Sequence, residues 1–427
     1  MEIQGFIAIF VFIATIYCIA RGYLTRATAT LMGASTLMFF RIIPSEIAFH
    51  FIDFNTLGLL IGMMIIVGVL SRSGLFQYVA VKAIKFTGGK GYLLLAAILF
   101  ITALLSAFLD NVTTVLLISP IILSLTDLLG MNPVPFLVSE ALASNIGGAA
   151  TLIGDPPNII VGSFAKLSFL DFIINMSPVA LLILLITAVL LGWLFRKDIF
   201  TNSAVKERLA DVDETRLIKD PALLKRSLIA MGAVLAGFML HHVLNLEASV
   251  IALFGAGLLL TVIPLSGPDV IHTDIEWPTL VFFASLFIMV GALKETGVIV
   301  AMADGLSHVL KGHKLLSIIV ILWVSGFASI FINPVAFCAI FVQVVPELSS
   351  ALSMDSTPLF WALAMGACFG GNGSYLGATA NAVLADLAEK GGHGLSFSYF
   401  LRIGLKVVFL SLTICTVYLL IRYRNII

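Results

Sequence analysis

The stretch "SNIGGAATLIGDPPNIIVG", residues 144–162, places helix-breaking residues inside a long apolar region. Pro156 and Pro157 each lack a backbone N–H and stop a continuous helix, while Gly154 permits a tight turn. In hydrocarbon, irregular backbone survives only where protein or a water-filled cavity covers its polar groups. Segment 134–168 is therefore predicted to form two half-helices joined by an unwound middle. Freed carbonyls there can bind a cation, and helix N-termini can face an anion.

The composition is that of a membrane protein. Of the 427 residues, 60% are hydrophobic and 11% are charged, whereas soluble domains carry about 25% charged residues. Uncharged runs such as 172–195 are long enough to cross a bilayer as helices. Their apolar residues are continuous rather than alternating, which favours helices over strands. We expect an all-α, multi-pass protein of the cytoplasmic membrane that contacts lipid, and the net charge of zero suggests no nucleic-acid partner.

The chain contains two copies of one unit, related by a constant offset in the numbering. "FNTLGLLIGMMIIVGVLSRSG" from Phe54 pairs with "WPTLVFFASLFIMVGALKETG" from Trp277. The same register pairs "GGAATLIGDPPN" from Gly147 with "GGNGSYLGATAN" from Gly370. We divide the chain into a first transmembrane repeat (1–196), a charged cytoplasmic linker (197–226) and a second transmembrane repeat (227–427).

Each repeat is predicted to cross the membrane five times. Residues 92–126 are too long for one straight crossing and are interrupted at Asp110-Asn111, so we interpret them as a re-entrant hairpin. An odd number of crossings inverts the second repeat relative to the first, a plan common among secondary transporters. The crossings in the first repeat are 6–20, 27–43, 56–71, 134–168 and 172–195.

The distribution of basic residues leaves an alternative open. In this count the basic residues of the first repeat lie on the side of the linker, as the positive-inside rule expects. They are Arg21, Arg26, Arg72, Lys82, Lys85 and Lys90. Lys294, Lys311 and Lys314 in the second repeat fall on the opposite side. If each hairpin crosses the membrane twice, the repeats are parallel and this conflict partly disappears.

Two aspartates lie deep in the first repeat. Asp110 is at the predicted hairpin tip, with oxygen-bearing neighbours Asn111, Thr113 and Thr114. Such oxygens suit Na⁺, and the aspartate could instead carry a proton; the alternative is a turn stabilised by aspartate hydrogen bonds. Asp155 is costly at membrane depth, by about 2.5–3.5 kcal/mol on insertion scales. It binds the coupling ion, caps the next half-helix, or does both.

The second repeat keeps the breaks and loses the carboxylates. Asn333 replaces Asp110, and Ala378 replaces Asp155. This predicts a charged ion site in the first repeat and a neutral, substrate-facing second repeat. Cys338 and Cys368 lie near the second-repeat breaks, where a thiol could contact arsenite or simply be buried.

Three motifs, "SNIGGAATLIGDPPNIIVGS", "SAFLDNVTTVLLISPI" and "IEWPTLVFFASLFIMVGALKETG", resemble the ion transporter superfamily. The likeness is to its branch of ArsB-type arsenite permeases, NhaD-type sodium/proton antiporters and the pink-eyed-dilution protein, which are citrate transporter-like permeases. The resemblance implies inverted repeats, a homodimer and elevator-like motion. The family's second hairpin often reads Asp-Asn-Ile-Pro where this chain has Asn333-Pro334-Val335-Ala336, a departure that weakens the antiporter interpretation.

The resemblance also implies site residues. The predicted ion-binding residues are Asp110, Asn111, Thr113, Thr114, Asn145, Gly154, Asp155 and Asn158. The predicted substrate-binding residues are Ser144, Thr151, Asn333, Asn372, Ser374, Thr379 and Asn381.

We therefore predict a secondary transporter, driven by a Na⁺ or H⁺ gradient, for a small inorganic or organic anion or for arsenite or antimonite. A Na⁺/H⁺ antiporter is the first alternative and a passive anion channel the second. The sequence shows no nucleophile–base pair, metal cluster or G-x-x-x-x-G-K-[ST] motif, so no enzyme is predicted. No cofactor is expected beyond the coupling Na⁺ or H⁺, and an arsenite pump would need an associated ATPase subunit.

Overall fold

The protein is all-helical in a computed structural model that describes residues 3–88, 90–199, 214–263, 267–310 and 313–424. Helices make up 81% of it, with no strand in these ranges. The predicted linker 197–226 is described only at its ends, since residues 200–213 lie outside the described part of the chain, as does Lys311.

The first half contains eleven α-helices within the described residues. They are α1 Ile3–Ala20, α2 Arg26–Phe39, α3 Ser45–Ala48, α4 Phe54–Arg72, α5 Leu75–Phe86, α6 Gly91–Ser106, α7 Asn111–Leu129, α8 Val134–Gly148, α9 Pro156–Ala165, α10 Phe169–Asn175 and α11 Ser177–Leu194.

The second half contributes ten described helices. They are α12 Pro221–Leu244, α13 Ala248–Val262, α14 Gly267–Thr273, α15 Trp277–Glu295, α16 Val298–Leu310, α17 Lys314–Phe331, α18 Pro334–Ala351, α19 Thr357–Gly370, α20 Thr379–Lys390 and α21 Phe397–Arg422. The sequence register pairs the first residue of each helix from α4 to α9 with a residue in the second half. The six helices α15 to α20 begin at those paired residues, so the offset seen in the sequence recurs in the helix starts.

The predicted interruptions are all present. α8 ends at Gly148 and α9 begins at Pro156, which leaves residues 149–155 outside any helix. The hairpin is α6 and α7, and its tip spans residues 107–110. In the second half α17 and α18 are separated by residues 332–333, and a short 3₁₀ turn and residues 374–378 separate α19 from α20. Proline and glycine explain why the helices stop at three of these breaks. The tip at 107–110 contains neither, and there Asp110 caps the start of α7.

Eight of the described helices are long and apolar enough to cross a membrane: α1, α4, α11, α12, α15, α17, α18 and α21. The predicted crossings 27–43 and 134–168 are not among them, because α2 is too short and 134–168 is divided between α8 and α9. The predicted crossing 172–195 is also shorter than expected, since residues up to Asn175 belong to α10. α10 is bent by 115° from α9.

The helices pack as two bundles. The first bundle contains α1–α4 and α12–α15, and the hairpin bundle contains α5–α11 and α16–α21. Within each bundle, helices of one half pack on helices of the other half. α2 packs on α15, and their counterparts in the opposite halves, α13 and α4, pack on each other in the same way. In the hairpin bundle α9 packs on α18 while α20 packs on α7. This reciprocal packing brings the breaks of both halves to one place.

An ion pair shows how the two halves run relative to each other. Arg72 Nη2, at the end of α4, lies 2.7 Å from Asp274 Oδ1, just before α15 begins. The C-terminal end of α4 is therefore beside the N-terminal end of its counterpart α15. An inverted repeat would have this arrangement, and the inversion itself stays a prediction.

Candidate functional site

A cavity of about 250 Å³ lies between the two bundles. The first bundle lines it with residues that include Thr25, Arg26, Leu60, Met64, Glu276, Thr279 and Phe283. The hairpin bundle contributes Asp110, Asn111, Val112, Pro156, Asn333, Val335 and Thr379. An adjoining cleft of about 40 Å³ extends toward Asn145, Asp155 and Cys368. Together these form the candidate site.

A larger cavity, about 590 Å³, lies between the same bundles around the start of α4. Asp53, Lys166 and Glu247 are among its lining residues. Of the residues that the structure describes, none from the hairpin tips lines it, so the smaller cavity is the one that joins the broken segments of both halves.

Four helix N-termini converge on the cleft. The first residues of α7, α9, α18 and α20 all line it: Asn111, Pro156, Pro334 and Thr379. The helix dipole gives each N-terminus a partial positive charge of roughly half a unit. Pro156, Pro157 and Pro334 have no N–H group. N–H groups in the first turns of α7 and α18 already donate to Asp110 and Asn333, so the dipoles rather than free N–H groups supply the positive potential. The arrangement therefore favours a negatively charged group at the centre of the site.

Asp110 caps the helix that follows the hairpin tip. Its Oδ1 accepts from the backbone N–H of Val112 at 2.9 Å and of Thr113 at 3.0 Å, and its Oδ2 accepts from the Thr113 hydroxyl. Thr114 Oγ1 donates to the Asp110 carbonyl at 2.9 Å. The predicted turn-stabilising role of Asp110 is thus observed, and its carboxylate lines the cavity as well.

Asp155 is positioned differently. It is 6% exposed, precedes α9, and makes no side-chain hydrogen bond to that helix. The prediction that it caps α9 is wrong, because its carboxylate accepts no hydrogen bond from the N–H groups at the helix end. Asp155 Oδ1 lies 3.5 Å from Asn111 Nδ2 at the cleft.

Asn145 links the two halves. Its Oδ1 accepts from Asn111 Nδ2 at 3.1 Å. Its Nδ2 lies 3.0 Å from both Asn372 Oδ1 and Asn381 Oδ1. All four asparagines are buried, where an amide without a partner is costly. The network therefore fixes the two breaks relative to each other.

Asn158 and Asn381 brace the unwound segments. Asn158 Nδ2 donates to the carbonyls of Ala149 at 3.1 Å and Thr151 at 2.8 Å. Asn381 Nδ2 donates in the same way to the carbonyls of Gly371 and Ser374, both at 2.9 Å. These bonds satisfy carbonyls that the broken helices leave free.

Nine of the predicted site residues lie around the breaks and do not line the cavity or the cleft: Thr113, Thr114, Ser144, Thr151, Gly154, Asn158, Asn372, Ser374 and Asn381. The hydroxyl of Thr151 donates to the carbonyl of Ala107 at the first hairpin tip, and that of Ser374 donates to the carbonyl of Ile330 in the last turn of α17. Thr113 and Thr114 likewise bond to Asp110. In this conformation these residues shape the site, and direct binding by them stays a prediction.

Two charged residues at the cavity escaped the sequence prediction. Arg26 was counted only as a cytoplasmic basic residue, and Glu276 was not singled out. Glu276 Oε2 accepts from Thr279 Oγ1 at 2.9 Å. Its counterpart in the first repeat is Asp53, which caps α4. The sequence feature that could have identified Glu276 is the carboxylate that directly precedes both α4 and its counterpart α15.

Glu140 in α8 is a third missed residue. It is fully buried, and both of its carboxylate oxygens lie near Ser119 Oγ, at 2.8 and 3.0 Å. It lines neither the cavity nor the cleft. The sequence signal was the same as for Asp155, a lone carboxylate in an uncharged segment.

No group of three or more His, Cys, Asp or Glu side chains is arranged to hold a metal ion in the described part of the chain. Na⁺ requires only oxygen ligands. The carboxylate of Asp155 and the side-chain oxygens of Asn111, Asn145 and Asn333 line the cleft and could supply them.

The chain is similar to known transporters along nearly its whole length. It is 40% identical to the 46 kDa membrane protein of Mycobacterium leprae, over 98% of each chain. It is 41% identical to an uncharacterised transporter of Mycobacterium tuberculosis, over 98% of this chain and 99% of that one. It is 33% identical to the P protein of Mus musculus over 88% of this chain, which spans 54% of that longer protein.

The fold is also found in a solved structure. The crystal structure of the YdaH transporter of Alcanivorax borkumensis matches with a TM-score of 0.56 over 88% of this chain and 86% of that chain. The identity is 15%, so this likeness concerns the fold alone. A sequence model described as "Citrate transporter" (CitMHS) matches residues 8–366. The resemblance seen in the motifs is confirmed: the chain is a multi-pass membrane transporter, not an enzyme, and it belongs to the citrate transporter family of the ion transporter superfamily.

Proposed function

We propose that the chain is a secondary transporter that carries a small carboxylate-bearing anion across the cytoplasmic membrane together with Na⁺ or H⁺. The observation that carries this proposal is the convergence of the first residues of α7, α9, α18 and α20 on one cleft. Helix N-termini bind carboxylate and phosphate groups readily. The family description, a citrate transporter, names a substrate of this class.

The charges around the cavity support coupling to a cation. Asp110, Asp155 and Glu276 line the cavity or the cleft, together with one arginine, Arg26. Three carboxylates and one guanidinium give a formal charge of −2 when all are ionised. Two like charges 4 Å apart repel by about 4 kcal/mol at an effective dielectric constant of 20. An anion therefore binds well here only when cations or protons bind with it.

The same charges favour the rival function. A site with more carboxylates than arginines suits Na⁺ and H⁺, so a Na⁺/H⁺ antiporter is the second candidate. It predicts ion exchange with no co-substrate. The passive anion channel gains no support from the carboxylates, because an unneutralised negative site repels the permeating anion.

Arsenite stays within the proposal as a narrower alternative. Cys368 lines the cleft and is 1% exposed, and its Sγ donates to Asn158 Oδ1 at 3.3 Å. A thiol at this position could bind trivalent arsenic. We also propose a homodimer, an elevator-like motion and, for an arsenite pump, an ATPase subunit, all on the basis of family resemblance.

Uptake into proteoliposomes tests the proposal. The purified protein is reconstituted, and labelled citrate, succinate, acetate, phosphate and arsenite are offered with and without inward Na⁺ and H⁺ gradients. We expect accumulation of at least one carboxylate that requires one of the gradients, and none in protein-free liposomes. Exchange of Na⁺ for H⁺ without any anion would establish the antiporter instead, and anion flux indifferent to both gradients would establish the channel.

A further inference from the structure

Arg26 is the one arginine on the cavity wall among the described residues. It is the first residue of α2, in the first bundle, and it is half-buried. Across the cavity its guanidinium donates from Nη1 to Thr379 Oγ1, at the start of α20 in the hairpin bundle. The side chain therefore reaches from one bundle to a helix N-terminus of the other.

The guanidinium lacks an ion-pair partner within the described ranges. The ion pairs found there are Arg72–Asp274, Lys390–Asp386 and His393–Asp127. Asp110 and Glu276 line the same cavity, yet their carboxylates bond to Thr113 and Thr279 instead. Of the five N–H donors of an arginine, the hydrogen bond to Thr379 engages one. The remaining donors are available to a ligand.

The fold itself gains little from a cation at this position. A positive charge in the first turn of a helix opposes the helix dipole, where an acidic residue would be favoured. Partial burial without a carboxylate partner adds a desolvation cost. The counterpart of Arg26 in the second half is Ser249, so the duplicated architecture does not require an arginine here. These three points indicate that Arg26 serves the contents of the cavity rather than the packing of α2.

We propose that Arg26 binds a second carboxylate of the substrate and so selects anions with two or more carboxylates over those with one. This rests on the proposed function, anion transport. One carboxylate occupies the cleft at the four helix N-termini, and Arg26 binds another in the wider cavity next to Thr379. Arginine suits this role because its planar fork binds carboxylate through two parallel hydrogen bonds. The cavity of about 250 Å³ is slightly smaller than the roughly 300 Å³ lower limit typical of ligand pockets, which limits the substrate to a small molecule.

The test compares substrates that differ in the number of carboxylates. Initial uptake rates of citrate, succinate and acetate are measured in proteoliposomes for the parent, Arg26→Gln and Arg26→Lys. Arg21→Gln is the matched control, because Arg21 is an exposed arginine shortly before α2. For Arg26→Gln we expect KM to rise about tenfold or more for citrate and succinate. The maximal rate should stay within about twofold, the KM for acetate should not change, and Arg26→Lys should recover part of the loss.

The outcomes separate this proposal from the broader one. If the parent takes up citrate or succinate and Arg26→Gln has the parental KM, the assignment of Arg26 is overturned while anion transport stands. An equal loss for all three substrates, acetate included, would show a structural role and would also overturn it. If the parent transports none of these anions, and none of them raises its thermal unfolding midpoint, anion transport and the role of Arg26 fail together.

Discussion

Asn145 Nδ2 donates to Asn381 Oδ1 across 3.0 Å, and this bond joins α8 of the first half to the first turn of α20 in the second. The position in the second half that is equivalent to Asn145 is Cys368, whose Sγ donates to Asn158 Oδ1 at 3.3 Å. The two halves thus make the same contact with different chemistry. An amide bonds to several partners at once, whereas a thiol is a weak single donor, so the junction is stronger on the Asn145 side.

The first prediction concerns Asn381. Asn381→Ala removes the donor to the Gly371 and Ser374 carbonyls and the acceptor for Asn145. Buried groups left without partners cost about 1–3 kcal/mol each, so we expect a loss of about 2 kcal/mol or more. The thermal unfolding midpoint of the purified protein in detergent checks this. Asn132→Ala, at an exposed loop asparagine that accepts one hydrogen bond, from Val134 N at 3.1 Å, is the control and should cost about 1 kcal/mol or less. An equal shift for both variants would refute the bracing role.

A second prediction separates the charge of Asp110 from its cap. Asn333, its counterpart, caps α18 with Oδ1 accepting from Val335 N at 2.9 Å. Asparagine caps helices about as well as aspartate, and alanine costs about 1 kcal/mol. Asp110→Asn should therefore keep the parental unfolding midpoint and lose gradient-driven uptake. Asp110→Ala should lose gradient-driven uptake as well and should also have a lower unfolding midpoint. Parental uptake by Asp110→Asn would show that the capping role alone explains this residue.

Close helix packing gives a third prediction. A Cβ on Gly370 of α19 would collide with the backbone of Gly326 in α17. Gly257 in α13 has open space around it. We expect Gly370→Ala to destabilise the protein by about 1–3 kcal/mol through overpacking, and Gly257→Ala to be neutral or slightly stabilising. Thermal unfolding of the two variants side by side measures the difference, and similar midpoints would contradict the packing described here.

The inverted arrangement gives a fourth prediction. Glu46 and His272 are exposed residues shortly before α4 and α15. In a background without the four native cysteines, Glu46→Cys and His272→Cys are labelled with a membrane-impermeant maleimide in cells and in inverted vesicles. Inverted repeats place the two cysteines on opposite sides of the membrane. Labelling of both from the same side would show that the repeats are parallel.

The sequence predicted the positions of the breaks well. Proline and glycine stop helices through their own backbone chemistry, and an uncharged run marks a buried segment without any knowledge of its neighbours. Residues 149–155 could therefore be identified from residues 144–162 alone. The register of the duplication was equally accessible, since six helix starts repeat it.

Which side chains line the site could not be predicted from local sequence in the same way. Arg26 and Thr379 are far apart in the chain and meet only because the two bundles pack against each other. Asp155 does not cap α9, and the sequence held a clue to this: Pro156 and Pro157, the first two residues of the helix, have no N–H to donate to a cap. Asn158 and Thr151 were predicted as ligands because the family resemblance implies ion and substrate sites at the unwound segments. The structure shows another use for their polarity, the bracing of an unwound backbone.

Asp155 provides the most direct test of a coupled site at the break. Parent, Asp155→Asn and the control Asp386→Asn, which changes an exposed residue paired with Lys390, are reconstituted in proteoliposomes. Citrate uptake is then measured by counterflow without ion gradients and by accumulation under an inward Na⁺ or H⁺ gradient. We predict that Asp155→Asn retains counterflow and loses gradient-driven accumulation, while Asp386→Asn matches the parent in both. Gradient-driven accumulation by Asp155→Asn at the parental level would contradict a coupling role for the broken segment.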